Sequence, residues 1–186
     1  MAIPAFDGIL NILPPHQGDP RNPAELSPFP CTIYEIVDRF GFSPQRKTIL
    51  EGFLDLRLKL LALGLKAVQW IDGSFLEDIE SQESRPPGDI DVVTFALSTL
   101  ALADLHQLIS ASDPFLLSPK HVKSTFKVDH FLIPLASDPW QLVEHSTYFY
   151  GLFSHRRDRM WKGMLKVGML DIAEDQAALA HLRSLP

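Results

Sequence analysis

The stretch from Val68 to Phe95, VQWIDGSFLEDIESQESRPPGDIDVVTF, limits what this chain can fold into more than any other. It reads as a strand from Val68 to Asp72, a Gly73-Ser74 turn, a short helix, a loop, and a second strand from Asp89 to Phe95. Side chains alternate along a strand, so Asp89 and Asp91 share one face while Ile90 and Val92 point to the other. Neighbouring carboxylates repel unless a cation neutralises them. An all-oxygen donor set of this kind suits Mg²⁺ or Mn²⁺, ions that commonly sit between carboxylates and phosphates. Gly73 has no side chain, which lets a phosphate approach the backbone, and Ser74 is placed to cap the helix that follows. The stretch predicts a phosphate-and-metal site.

Ile71-Asp72-Gly73-Ser74, a spacer of fourteen residues, and Asp89-Ile90-Asp91-Val92-Val93 resemble the signature of the polymerase β-type nucleotidyltransferase superfamily. With its GSF…PGDIDVV core and a later Arg/Lys-Gly segment, the chain is also similar to an uncharacterised group of small, stand-alone bacterial nucleotidyltransferase-like proteins. The superfamily resemblance spans roughly residues 65–135. It implies an α/β (α+β) fold with a small mixed sheet flanked by helices. It also implies metal-dependent transfer of a nucleotidyl group from a nucleoside triphosphate, ATP among them, to an acceptor hydroxyl. Asp89 and Asp91 are the implied ligands of Mg²⁺ or Mn²⁺, and Gly73 and Ser74 the implied phosphate contacts. The acceptor is left open between an RNA end, a small molecule and a protein side chain.

The superfamily carries a third carboxylate on a strand beside Asp-x-Asp. The segment Thr125–Leu135, TFKVDHFLIPL, alternates as a strand, with Thr125, Lys127, Asp129, Phe131 and Ile133 on one face. Asp129 is the candidate third ligand, and a carboxylate in so apolar a strand needs a partner or a metal. Lys127, on the same face, either pairs with Asp129 or contacts a phosphate. Pro134 marks an edge or a bulge at the strand's end.

One departure stands out. Small members of the superfamily often have a basic residue close behind Gly-Ser, whereas this chain has Phe75-Leu76-Glu77-Asp78. Glu77, Asp78, Glu80 and Glu83 read as the solvated face of a short helix and its loop, so cations for a triphosphate must come from elsewhere. The segment His155–Gly163, HRRDRMWKG, offers Arg156, Arg157, Arg159 and Lys162. From Lys120 to Lys166 there are eight Lys/Arg and four Asp/Glu, in a chain whose net charge is −6. That asymmetry suits one compact anion such as a nucleotide better than a long polyanion.

The other segments read as scaffold. Seven prolines in the first thirty residues predict an irregular arm, residues 1–30, lying across a single domain of residues 31–186. Thr32–Phe40 and a run opened by Ser43-Pro44 and stopped by Gly64 predict helices, as do Ser98–Ala111, Asp138-Pro139 onward, and the segment capped near Asp171. Met164–Leu170 predicts a last strand. Cys31 is the only cysteine, which excludes an internal disulfide and a Cys-based zinc site, and it reads as a small buried apolar side chain. No apolar run approaches a membrane span and no secretory signal is recognisable, so the expected address is the cytoplasm. Gly-Lys-Ser/Thr phosphate loops, His-x-x-x-His pairs and nucleophile elbows are absent. The alternative from another class is a scaffold that has lost the chemistry and binds a partner protein encoded nearby, as in a toxin–antitoxin or phage-defence module.

Overall fold

A computed structural model describes residues 3–186. The elements begin and end where local chemistry directs. After β1 (Phe29–Cys31), Thr32 accepts from Glu35 N–H while the Glu35 carboxylate reaches back to Thr32 N–H, and this reciprocal cap opens α1 (Ile33–Phe40). Ser43 caps α2 (Pro44–Ala62), with Pro44 in its first turn. There follow β2 (Ala67–Asp72), α3 (Ile79–Glu83), β3 (Ile90–Ala96), α4 (Leu102–Ser112), α5 (Pro119–Phe126), β4 (Val128–Pro134), α6 (Pro139–Phe153), β5 (Leu165–Met169) and α7 (Ile172–Ser184). Asp138 and Asp171 cap α6 and α7.

The strands form one five-stranded mixed sheet in the order β1-β5-β2-β3-β4. β2 runs antiparallel to β3 and β5, while β3–β4 and β1–β5 are parallel. This is the mixed α/β architecture expected from the sequence. One sheet face carries Ile71, Ile90, Val92, Val128, Leu165 and Val167 into a large core shared with α1, α2 and α7. The other face carries Val93, Phe95 and Ile133 against Phe149 and Phe153 of α6. Among the described residues no helix is long and apolar enough to cross a membrane.

The proline-rich arm has no helix or strand from residue 3 to residue 28, in keeping with its composition, but it is tied to the body. Its last residues enter the sheet as β1, so an arm ending at residue 30 would divide a strand. Earlier, Leu13 C=O accepts from Gly163 N–H, and Ser27 Oγ accepts from Met164 N–H. Ile12, Leu13 and Phe29 are buried, each contributing about 1.5–3 kcal/mol through its side chain. Cys31, at the outer edge of β1, is half-buried, and burial pushes its thiol up to about 12.

A second correction concerns Thr125–Leu135. Ser118 caps α5, which continues through Phe126, and Lys127 ends it in the left-handed conformation at φ 58°. The strand begins only at Val128. Thr125 and Lys127 therefore do not stand beside Asp129 on a strand face, and the alternation there belongs to a helix end followed by a strand. The helix expected from Ser98 begins at Leu102.

Candidate functional site

Three adjacent strands bring a row of carboxylates to one end of the sheet. Asp72, the last residue of β2, is the register partner of Asp91 in β3, and Asp91 is the partner of Asp129 in β4. Register partners project from the same face, so all three side chains lie side by side on the face that α6 packs against further along. Asp89 precedes β3 and stands two residues from Asp91 in the alternation. Asp89, Asp91 and Asp129 were legible in the sequence as a group; Asp72 was read only as the end of a strand.

Gly73 allows this crowding. Its φ is 95°, and a Cβ built there would lie 2.6 Å from Asp91 Oδ2. Any other residue would displace the Asp91 carboxylate as well as strain the turn. Ser74 begins a single 3-10 turn through Leu76, while the cap of α3 is Asp78, which accepts from Ser81 N–H at 3.2 Å. Ser74 thus does not cap the next helix. Its hydroxyl has no hydrogen-bond partner among the described residues.

In the acidic segment behind Ser74, Glu83 is exposed and Asp78 and Glu80 are partly so, but Glu77 is not on the solvated face expected of it. The guanidinium of Arg46 on α2, fully buried, donates to the carbonyls of Phe75 and Glu77, both at 2.6 Å, and pairs with Glu80 at 2.7 Å. Held this way, Glu77 turns inward and is 4% exposed. Lys162 meets it there, with Nζ 3.0 Å from Glu77 Oε1 and 2.9 Å from Asp72 Oδ1. The approach to Asp72 Oδ1 is off the direction of a good hydrogen bond, so that contact is chiefly one of charge. Gly163 passes close against the Pro14 carbonyl, which fixes the backbone next to Lys162.

Burial works against the Lys162 charge, but the Asp72 and Glu77 carboxylates outweigh it and raise its pKa. Burial pushes Asp72 up to about 7, with Lys162 pulling the other way. Asp91 rises to about 6, first through burial and then through the charges of Asp89 and Asp129.

A second lysine lies on the open side. Lys123 of α5 stands 2.8 Å from Asp89 Oδ2 and 2.8 Å from Asp129 Oδ2, and hydrogen bonds to these two carboxylates raise its pKa. The partner of Asp129 is thus Lys123, one helical turn before Lys127, whose Nζ instead donates to Ser124 C=O at 3.3 Å. The basic segment divides. Lys162 is buried; Arg156 lies 3.2 Å from Glu77 and against the Gln82 amide. Arg157 and Arg159 are exposed and, among the described residues, have no ion-pair partner.

Asp89, Asp91 and Asp129 offer only oxygen donors, the type a hard divalent cation takes, and Asp91, raised first by burial, is raised further by the charges of the other two. Among the described residues no group of three His, Cys, Asp or Glu side chains is drawn together tightly enough to hold an ion. Lys123 occupies the position between Asp89 and Asp129 that a metal would have to take.

Neither a curated protein nor a solved structure matches the chain. A family model does match, over residues 4–168, from the proline-rich arm to β5. The chain therefore belongs to DUF6932, a family of unknown function.

Proposed function

We propose that the chain is a metal-dependent nucleotidyltransferase that moves a nucleotidyl group from a nucleoside triphosphate to an acceptor hydroxyl. The observation that carries this reading is the register of Asp91 with Asp129, beside Asp89 and against Gly73-Ser74. Asp89, Asp91 and Asp129 would hold Mg²⁺ or Mn²⁺. The ion, when bound, supplies positive charge to the triphosphate and lowers the pKa of the attacking hydroxyl. The Ser74 hydroxyl and the backbone at Gly73 orient the phosphates. With an ion held there, Lys123 would give up its contacts to Asp89 and Asp129, and its ammonium beside the site would serve as a phosphate counter-charge. Asp129, half-exposed on an edge strand, accepts the acceptor's proton as its oxygen bonds to the α-phosphorus and pyrophosphate departs. Exposed Arg157 and Arg159 are the basic side chains free to meet the triphosphate tail. The expected address remains the cytoplasm.

A second reading has its own observation. Lys123 and Lys162 already give the acidic cluster internal counter-charges that need no metal. That favours a scaffold acting through a partner protein, as in a toxin–antitoxin or phage-defence module.

Incubation with each α-labelled triphosphate, Mg²⁺ or Mn²⁺ and a cell extract separates the two. Label transferred by wild type and lost in Asp91→Asn supports the enzyme. No transfer with any triphosphate, together with no rise in melting temperature on adding metal and triphosphate, overturns it in favour of the scaffold.

A further inference from the structure

On the outer side of the sheet, beside the unpaired edge of β4, lies a cavity of about 480 Å³. Its walls are Leu60, Ile109, Val122, Leu132 and Phe149, and no Lys, Arg, Asp or Glu lines it among the described residues. It is therefore not a place for a phosphate, a carboxylate or an amine. An apolar cavity of about 150 Å³ is enough for benzene, so this one has room for two rings with substituents.

The cavity has one internal polar handle, His130, and a buried track of hydrogen bonds determines which proton that handle carries. Arg57, fully buried, pairs with Asp175 at 2.7 Å and donates from Nη1 to Gln69 Oε1 at 2.6 Å. The Gln69 amide must then turn its NH₂ to Thr94 Oγ1, 2.9 Å away. Thr94 Oγ1 accepts that proton and stands 2.8 Å from His130 Nε2, its only other partner among the described residues. The buried hydroxyl's own proton therefore goes to Nε2. His130 Nε2 is an acceptor, and the ring proton resides on Nδ1, which has no partner among the described residues.

We infer that this cavity binds a neutral, mainly apolar small molecule of about two rings, whose single hydrogen-bond acceptor takes the His130 Nδ1–H. The ring nitrogen is a donor by construction, and the surrounding walls reward apolar area. The exposed rim, with His106 and His145, leaves an entrance from solvent. This site is independent of nucleotidyl transfer and needs neither metal nor triphosphate.

The test titrates metal-free, full-length protein with 2-acetylnaphthalene and with 2-ethylnaphthalene, which match in shape but differ in having an acceptor. Binding is read from histidine-ring and backbone ¹⁵N shifts. Both probes are expected to bind with shifts at Ile109, His130 and Phe149, the ketone about tenfold more tightly. Leu117→Trp, which fills the cavity, is expected to abolish both. His130→Phe is expected to keep the hydrocarbon and remove the ketone's advantage. The wild-type comparison alone decides the matter if either variant folds poorly. No binding up to the probes' solubility, equal affinities in wild type, or shifts confined to another part of the molecule would overturn the inference.

Discussion

Two lysine–carboxylate groups stand a strand or two apart and differ in nearly everything but composition. Lys162 with Asp72 and Glu77 is sealed: every member is buried, and Arg46 holds the Glu77 backbone from behind. Lys123 with Asp89 and Asp129 is open, with the lysine side chain 48% exposed and the carboxylates about a third exposed. In the sealed group removing one charge strands the others in low dielectric, so the group is a fixed part of the fold. In the open group water can replace any partner at small cost, so the proposed metal would have only a weakly held lysine to displace. Asp91 lies between them and feels both.

The comparison breaks most visibly through activity. Asp129→Asn is expected to lower nucleotidyl transfer by about 10⁴-fold while leaving stability within about 1 kcal/mol. Single-turnover transfer assays beside urea melts check this. A large loss of stability without metal would move Asp129 into the sealed class.

Next in size is Lys162→Met, which leaves Asp72 buried without its cation and Glu77 with Arg156 alone. The expected loss is roughly 3–5 kcal/mol in urea unfolding, with partial recovery when Asp72→Asn is added. A mild effect would mean that the segment opens to solvent and that Lys162 is available to a ligand.

The pH dependence sharpens the contrast. Asp91 has a folded pKa of about 6 against an ordinary value near 3.9. Its raised pKa contributes stability that is complete below about pH 4 and lost as pH rises through about 6. Asp72 adds a loss that extends to about 7. Metal-free protein should therefore weaken between about pH 4 and 7, opposite to the trend of a well-paired aspartate. Asp91→Asn, or saturating Mg²⁺, should remove the part ending near pH 6 and leave the part ending near pH 7. Melting temperatures across that range, with and without Mg²⁺, decide it; a slope unchanged by either would separate Asp91 from the metal.

The smallest effect belongs to Lys123→Met. Stability should change by less than about 1 kcal/mol, while Mg²⁺ binds severalfold more tightly because its internal competitor is gone. Isothermal titration with Mg²⁺ alone measures this, and weaker binding in the variant would contradict displacement.

Most local interactions were legible in the sequence, the cap read at Ser74 excepted, since Asp78 caps that helix instead. The helix caps at Ser43, Asp138 and Asp171 depend on groups three residues apart or fewer, and the structure has them. Asp89 and Asp91 follow from alternation within one strand. The placement of Asp129 beside Asp91 agrees with the expectation, but only the parallel pairing of β3 with β4 brings them together. Alternation misled at Thr125–Lys127 because an apolar residue every second position there fits a helix's last turn as well as a strand. The left-handed turn at Lys127 then exchanged one lysine for another as the partner of Asp129.

Charged side chains were the least legible, and for one physical reason. Arg46, Arg57, Glu77 and Lys162 look in sequence like solvated residues, because a lone buried charge is prohibitive. They are buried since each finds its partners far along the chain: Arg57 at Asp175, Lys162 at Asp72 and Glu77. A local pattern can state which residues favour a helix or a strand and which face is apolar. Whether a charge is exposed or sealed depends on a partner that only the folded chain delivers.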